Sequence, residues 1–246
     1  MTAVLGPDGR ALVVAIDHPL YSWPCVGLED RASVLRAVAA AGADAVIASY
    51  GTIRDCRRWF GKAEPILKLD LTTVALGGAY PVSEYIPAWD LEDAKRLDVH
   101  AVLTFVQLGA PFELEALRTA ARVAAACDRA GLTYVCEIMP VESQGFPHPA
   151  APDAIAAACR TAAELGAHIV KTTMPEPAQR LVDAVAFGVP VLVAGGAMAA
   201  DREALLHGVR QVMKAGAAGV AFGRNVWGGF DPAGTVAALR EIVHGE

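Results

Sequence analysis

Residues 167–173 read Ala-His-Ile-Val-Lys-Thr-Thr, a short apolar run carrying one lysine, Lys171. A helical stretch ending Glu164-Leu165-Gly166 precedes it and Pro175 closes it. The run therefore reads as a buried strand whose lysine emerges near the C-terminal end. A lysine on a central strand has two explanations. One is an ion-paired or snorkelling side chain. The other is an amine kept neutral by its surroundings, able to attack a carbonyl and form a Schiff base.

The same unit, a short β-branched strand followed by an alanine-rich amphipathic helix, repeats from end to end. Strands are predicted at 11–17, 44–49, 65–71, 99–108, 132–139, 167–173, 189–194 and 217–222. Helices are predicted at 28–41, 52–60, 91–97, 112–130, 152–165, 177–187, 202–215 and 232–244, with long loops at 75–87 and 144–149. Strands that alternate with helices run parallel, and eight such pairs in ~250 residues fit an α/β fold, a single (β/α)8 barrel spanning residues 1–246. An open doubly wound sheet would want a glycine-rich turn after the first strand, where this chain has Asp17-His18-Pro19.

Composition narrows the class. The 246 residues are 54% hydrophobic and 20% charged with a net charge of −6, and no basic block occurs, so nucleic acid is not an expected partner. No apolar stretch reaches the ~18 residues of a membrane span and the N-terminus lacks a secretory pattern, so neither a membrane nor export is expected. Five cysteines without C-x-x-C spacing read as reduced structural thiols of a cytoplasmic protein.

In a barrel, function sits where strands end and βα loops begin. The polar residues there are Asp17 and His18, Lys68 and Asp70, Gln107, Glu137, Lys171 and Thr173, Gly195-Gly196, and Gly223-Arg224-Asn225. Period-two alternation puts Lys171 on one face with Ile169, Glu137 with Val135, and Asp17 with Val13 and Ala15. If those faces point inward, an amine nucleophile and two carboxylates meet at the mouth, which suits carbonyl chemistry. Either carboxylate alone reads equally well as an ion pair or a cap. An inward Lys68 would repel the Lys171 ammonium, bind an anionic group of the substrate, or pair with Asp70. The loops after strands seven and eight are a common phosphate site, and Gly195, Gly196 and Gly223 leave backbone N–H groups open there. Arg224 adds a charge-assisted contact or pairs with a carboxylate nearby. His18 adjoins Asp17, but the other histidines are scattered, so no metal site is expected.

Four segments resemble the metal-independent class I aldolases of the DeoC/LacD/DhnA group: 8–18 (Asp-Gly-Arg-Ala-Leu-Val-Val-Ala-Ile-Asp-His), 167–172, 189–196 (Val-Pro-Val-Leu-Val-Ala-Gly-Gly) and 215–227, which ends Gly-Arg-Asn-Val-Trp. The resemblance implies that Lys171 is the Schiff-base lysine and Asp17 a catalytic carboxylate. It implies that Gly195, Gly196, Gly223 and Arg224 hold a substrate phosphate, and it favours a homo-oligomer; Lys68 and His18 are further candidate substrate contacts, and no cofactor is expected. The segment Glu-Ile-Met-Pro-Val-Glu, 137–142, departs from the Tyr-Pro-Arg-Gly of archaeal-type fructose-bisphosphate aldolases. Met139 takes the tyrosine position, and Glu137 looks more like the acid/base glutamate of tagatose-bisphosphate and sulfofructose-phosphate aldolases. Three functions follow as expectations: an aldolase that cleaves or forms a phosphorylated ketose, a Schiff-base synthase of an aminated-sugar or aromatic-precursor pathway, and a non-catalytic barrel that binds a sugar phosphate.

Overall fold

A computed structural model describes residues 2–72, 75–76, 84–185, 187–229 and 231–245. Eight parallel strands close into a barrel: β1 Ala11–Ala15, β2 Ala45–Ala48, β3 Glu64–Lys68, β4 Ala101–Leu108, β5 Thr133–Pro140, β6 Ile169–Thr172, β7 Val191–Ala194 and β8 Gly219–Phe222. Each strand pairs with its neighbours in sequence, and β8 returns to β1 through Ala11↔Gly219. Helices α1 Arg31–Ala40, α2 Tyr50–Cys56, α3 Leu91–Arg96, α4 Glu113–Ala130, α5 Pro152–Glu164, α6 Leu181–Val185, α7 Arg202–Lys214, the single turn α8 Arg224–Trp227 and α9 Pro232–His244 complete the units. Among the described residues no helix is long and apolar enough to cross a membrane.

The strands read as unbroken apolar runs because both faces are covered. Val13, Ala15, Ile47, Ile66, Leu103, Val135, Ile169 and Leu192 pack with one another as the barrel interior. The alternate residues, among them Leu12, Val14, Val46, Leu67, Val102, Cys136, Val170 and Val193, pack in the larger core that also holds the buried helix residues. One polar pair on an outward face satisfies itself: Tyr134 Oη and Thr104 Oγ1 are 2.6 Å apart. At the N-terminal end, buried His244 of α9 lies 2.8 Å from Asp8 Oδ2 through Nδ1 and 2.9 Å from Asp44 Oδ2 through Nε2. That contact ties the last helix to the chain's first segment and to the start of β2.

The eight strands and eight helices expected from the sequence are all present. Two details differ. The third strand stops at Lys68 rather than residue 71, because the Leu69 carbonyl turns to accept the N–H groups of Ala88 and Trp89. Asp70–Thr72 then pairs antiparallel with Tyr85–Pro87 inside what read as a loop. The α8 turn at Arg224–Trp227 was also not expected. Tyr80, within the 75–87 loop, lies outside the described residues.

Candidate active site

Parallel register sets the centre of the site. Lys171 on β6 is the direct partner of Glu137 on β5, and alternation stacks both above the interior side chains Ile169 and Val135. Lys171 Nζ lies 2.6 Å from Glu137 Oε1, with both residues buried. They face a cavity of about 550 Å³ at the C-terminal mouth, also lined by Met139, Thr173, His18, Lys68, Gly195, Gly196, Gly223 and Arg224. The inward lysine and its carboxylate partner are therefore where the sequence pattern put them.

Lys68 ends β3 on the same inner face, and of the roles open to it the structure shows the pairing with Asp70. Its Nζ is 2.8 Å from Asp70 Oδ1 and 5.2 Å from the Phe105 ring centre. Asp70 is fully enclosed and also accepts from Tyr85 Oη at 3.0 Å and from the Phe105 N–H. Burial pulls the Lys68 ammonium toward neutrality, but the charges of Asp70, Asp17 and Glu137 outweigh it and raise its pKa. Lys68 is thus a fixed cation already engaged. Tyr85, from the 75–87 segment, is buried against this pair, and burial and the Asp70 charge hold its phenol protonated.

Asp17 follows β1 and is 1% exposed, but it is not among the residues lining the cavity; His18 is. Asp17 Oδ1 and His18 Nδ1 stand 3.7 Å apart, and neither has a hydrogen-bond partner among the described residues. Burial, then the charges of Lys171 and Arg224, press the His18 pKa down to about 3, so the ring is neutral at physiological pH. Its position is fixed by Trp227 at 5.0 Å and Tyr21 at 5.2 Å between ring centres.

Close packing favours glycine at two positions after β7 and β8, and a φ of +59° favours it at Gly196. A Cβ on Gly223 would fall 2.3 Å from His18 Cε1, and one on Gly195 would fall 3.0 Å from Asn225 Nδ2. The backbone N–H groups of Gly195, Gly196 and Arg224 donate to no carbonyl among the described residues. Arg224 reaches across to the Gly196 carbonyl at 2.8 Å rather than to a carboxylate. Asn225, which the sequence reading named without giving it a role, staples the two loops. Its Nδ2 donates to Gly195 O at 2.9 Å and Ala197 O at 3.0 Å, and its Oδ1 accepts from Ala199 N at 2.8 Å. The signal was present in Gly-Arg-Asn directly after an apolar strand.

Gln107, on β4, also lines the cavity, with its Oε1 buried and without a partner among the described residues. The five cysteines are free and buried, and burial raises the Cys136 and Cys159 thiols to about 12, which leaves them inert. Among the described residues no three His, Cys, Asp or Glu side chains gather in a way that would hold a metal ion.

A family model described as DeoC/LacD family aldolase matches residues 11–229. The chain belongs to the DeoC/LacD aldolase family. It is 35% identical over 243 residues to a 2-amino-3,7-dideoxy-D-threo-hept-6-ulosonate synthase of Halobacterium salinarum, covering 98% of this chain and 89% of the relative. A class 1 fructose-bisphosphate aldolase of Thermoproteus tenax is 32% identical over 245 residues, covering 96% and 90%. Among solved structures, an archaeal fructose 1,6-bisphosphate aldolase superposes with a TM-score of 0.87 at 28% identity over 99% of this chain and 97% of that one. A Schiff-base-forming fructose-1,6-bisphosphate aldolase, studied through its reaction intermediates, also gives 0.87 at 28% identity, covering 98% and 96%. This aldolase is therefore an enzyme of the class I, Schiff-base-forming group and a lyase, which sets aside the reading as a non-catalytic barrel.

Proposed function

We propose that the chain cleaves or forms a phosphorylated ketose, with dihydroxyacetone phosphate and an aldehyde as the two halves, through a Schiff base on Lys171. One observation carries this: the Lys171 amine points into the cavity mouth with a carboxylate 2.6 Å away on the partnered strand position. Glu137 takes the ammonium proton along that contact, which frees the lone pair to attack the ketose carbonyl. The carboxyl returns the proton to the carbinolamine oxygen, which leaves as water, and an iminium remains. As the carbon–carbon bond breaks, its electrons move into the iminium and form an enamine, while the proton of the adjacent hydroxyl passes to the Glu137 carboxylate, which lines the cavity. The aldehyde departs, the enamine is protonated at carbon, and water hydrolyses the imine. Met139 has no transferable proton, so Glu137 carries the acid/base work at the substrate, and the Asp17 carboxylate adds negative charge from behind His18. The open N–H groups of Gly195, Gly196 and Arg224, with the Arg224 guanidinium, form a cradle suited to the phosphate.

A second reading keeps the Schiff base and changes the outcome to a synthase that joins the enamine to a different aldehyde. It is favoured by the Halobacterium relative at 35% identity. The two differ only in the acceptor.

The test is to incubate the protein with dihydroxyacetone phosphate, reduce with borohydride and map the added mass. An adduct on Lys171 that is absent in Lys171→Ala is the expected result. An adduct on Lys68 would move the chemistry to β3, and no adduct would remove both readings.

A further inference from the structure

Beyond Glu137, the half of the cavity at the ends of β4 and β5 has no part in the steps above. It is walled by Phe105, Gln107, Met139, Thr72 and Glu142. With the phosphate cradle on β7 and β8 and the lysine on β6, a substrate bound at both must run its aldehyde half toward this side.

Three observations fix what that half can be. First, the basic side chains lining the cavity are Lys68, Lys171 and Arg224, with His18 alongside. Lys68 is held by Asp70, Lys171 by Glu137, and Arg224 stands at the glycine loops. Second, the loops at the β3, β4 and β5 end carry no replacement. Residues 69–90, 109–112 and 141–151 contain no lysine or arginine, whereas they hold Asp70, Glu84, Asp90 and Glu142. The Gly109 N–H, an amide that would face an anion after β4, is already taken by the Glu113 carboxylate. A phosphate dianion placed here would lose its water beside the Glu142 carboxylate, and the cation at this wall, Lys68, is already paired with Asp70. Third, Gln107 Oε1 is a buried acceptor without a donor, on the position partnered with Met139. An acceptor in that state calls for a donor from whatever fills the cavity.

We propose that this end takes the aldehyde half as an unphosphorylated, hydroxyl-bearing aldehyde, and that Gln107 is the specificity-determining residue that accepts a hydrogen bond from that hydroxyl. Phe105 and Met139 pack on the carbon chain beside it. The proposal rests on the aldolase reading above and deepens it: the site holds one phosphate, not two.

The experiment measures condensation with dihydroxyacetone phosphate for three acceptors: D-glyceraldehyde, glyceraldehyde 3-phosphate and propanal. The wild type is expected to show kcat/KM at least about tenfold higher for glyceraldehyde than for either of the others, the worth of one hydrogen bond in a closed site. Gln107→Leu, which keeps the shape, should lose that advantage over propanal, and Glu142→Lys should raise the use of glyceraldehyde 3-phosphate. Equal or better use of glyceraldehyde 3-phosphate by the wild type would overturn the proposal, as would a Gln107→Leu enzyme slowed equally on glyceraldehyde and propanal. The borohydride adduct is read in parallel. An adduct on Lys171 in both proteins keeps the aldolase reading whatever the acceptors show, and its absence in the wild type removes that reading and this one with it.

Discussion

Lys68→Met tests the buried pair that props one wall of the site. Methionine matches the lysine stem in length, so little packing is lost. What is lost is a charge-assisted hydrogen bond of 2.8 Å to a carboxylate that is 0% exposed. Asp70 keeps the donors Tyr85 Oη and Phe105 N but no countercharge in contact. Breaking a buried pair from one side costs about 3–5 kcal/mol, most of it the stranded charge. The exposed Lys95–Glu92 pair, at a similar 2.7 Å, should contribute below about 0.5 kcal/mol. Lys68→Met combined with Asp70→Asn removes the charge as well and should recover to within about 2 kcal/mol of wild type. Urea unfolding followed by circular dichroism reads this as a midpoint shift at constant slope. The sign of the pH dependence is a second check. Burial already raises the Asp70 pKa in the folded protein, and removing Lys68 leaves that burial less opposed. A folded-state carboxyl pKa above the unfolded one binds protons preferentially in the native state, so the deficit of the single variant should narrow as pH falls from 8 to 5. A Lys68→Met protein within about 1 kcal/mol of wild type, or a double variant no better than the single, would refute the reasoning.

Glu137→Gln should lower kcat by about 10²–10⁴ through loss of proton transfer, and a mass-resolved single-turnover time course should show slow imine formation on an intact Lys171. His18 is pressed from 6.5 to about 3 in the fold, so the unfolded chain takes up a proton that the native state refuses. Its contribution is complete above pH 6.5 and declines below it, by about 2 kcal/mol between pH 6.5 and 5, and His18→Asn should flatten that slope in a pH series of unfolding curves. Asn225→Ala cuts three loop contacts. It should raise KM for the phosphorylated ketose about tenfold with kcat nearly kept, and an equal fall in kcat would contradict a holding role. His244→Ala removes the partner Asp8 and Asp44 share, while Asp44 keeps Arg240, and should cost about 1–2 kcal/mol by thermal or urea unfolding.

Periodicity carried the fold, because strands covered on both faces and helices covered on one leave different, repeating apolar patterns, and each unit was short enough for glycine and proline to mark its ends. The Lys171–Glu137 pair was readable for the same reason: both fall on inward positions of parallel strands. What escaped was set by side-chain partners distant in sequence. Lys68 and Asp70 share a face on paper, but that Tyr85 completes their cluster depends on the 70–72 turn folding back against 85–87. Asp17 was expected at the mouth, yet His18 occupies the cavity wall, since the chain bends into a single helical turn directly after β1. Asn225 and Gln107 were visible as polar residues at strand ends. Only the contacts of the one and the vacant acceptor of the other give them roles.

Because the amine and its carboxylate occupy partnered positions of adjacent strands, their separation is inherited from the ~4.8 Å spacing of the sheet and owes nothing to the loops. The activation step is in this sense insulated. The segments 109–112 and 141–151, which frame the aldehyde end, behave as cassettes that can be exchanged without retuning the nucleophile. A lineage, or a directed library confined to those segments, can therefore explore new acceptors while the bond-making machinery stays constant.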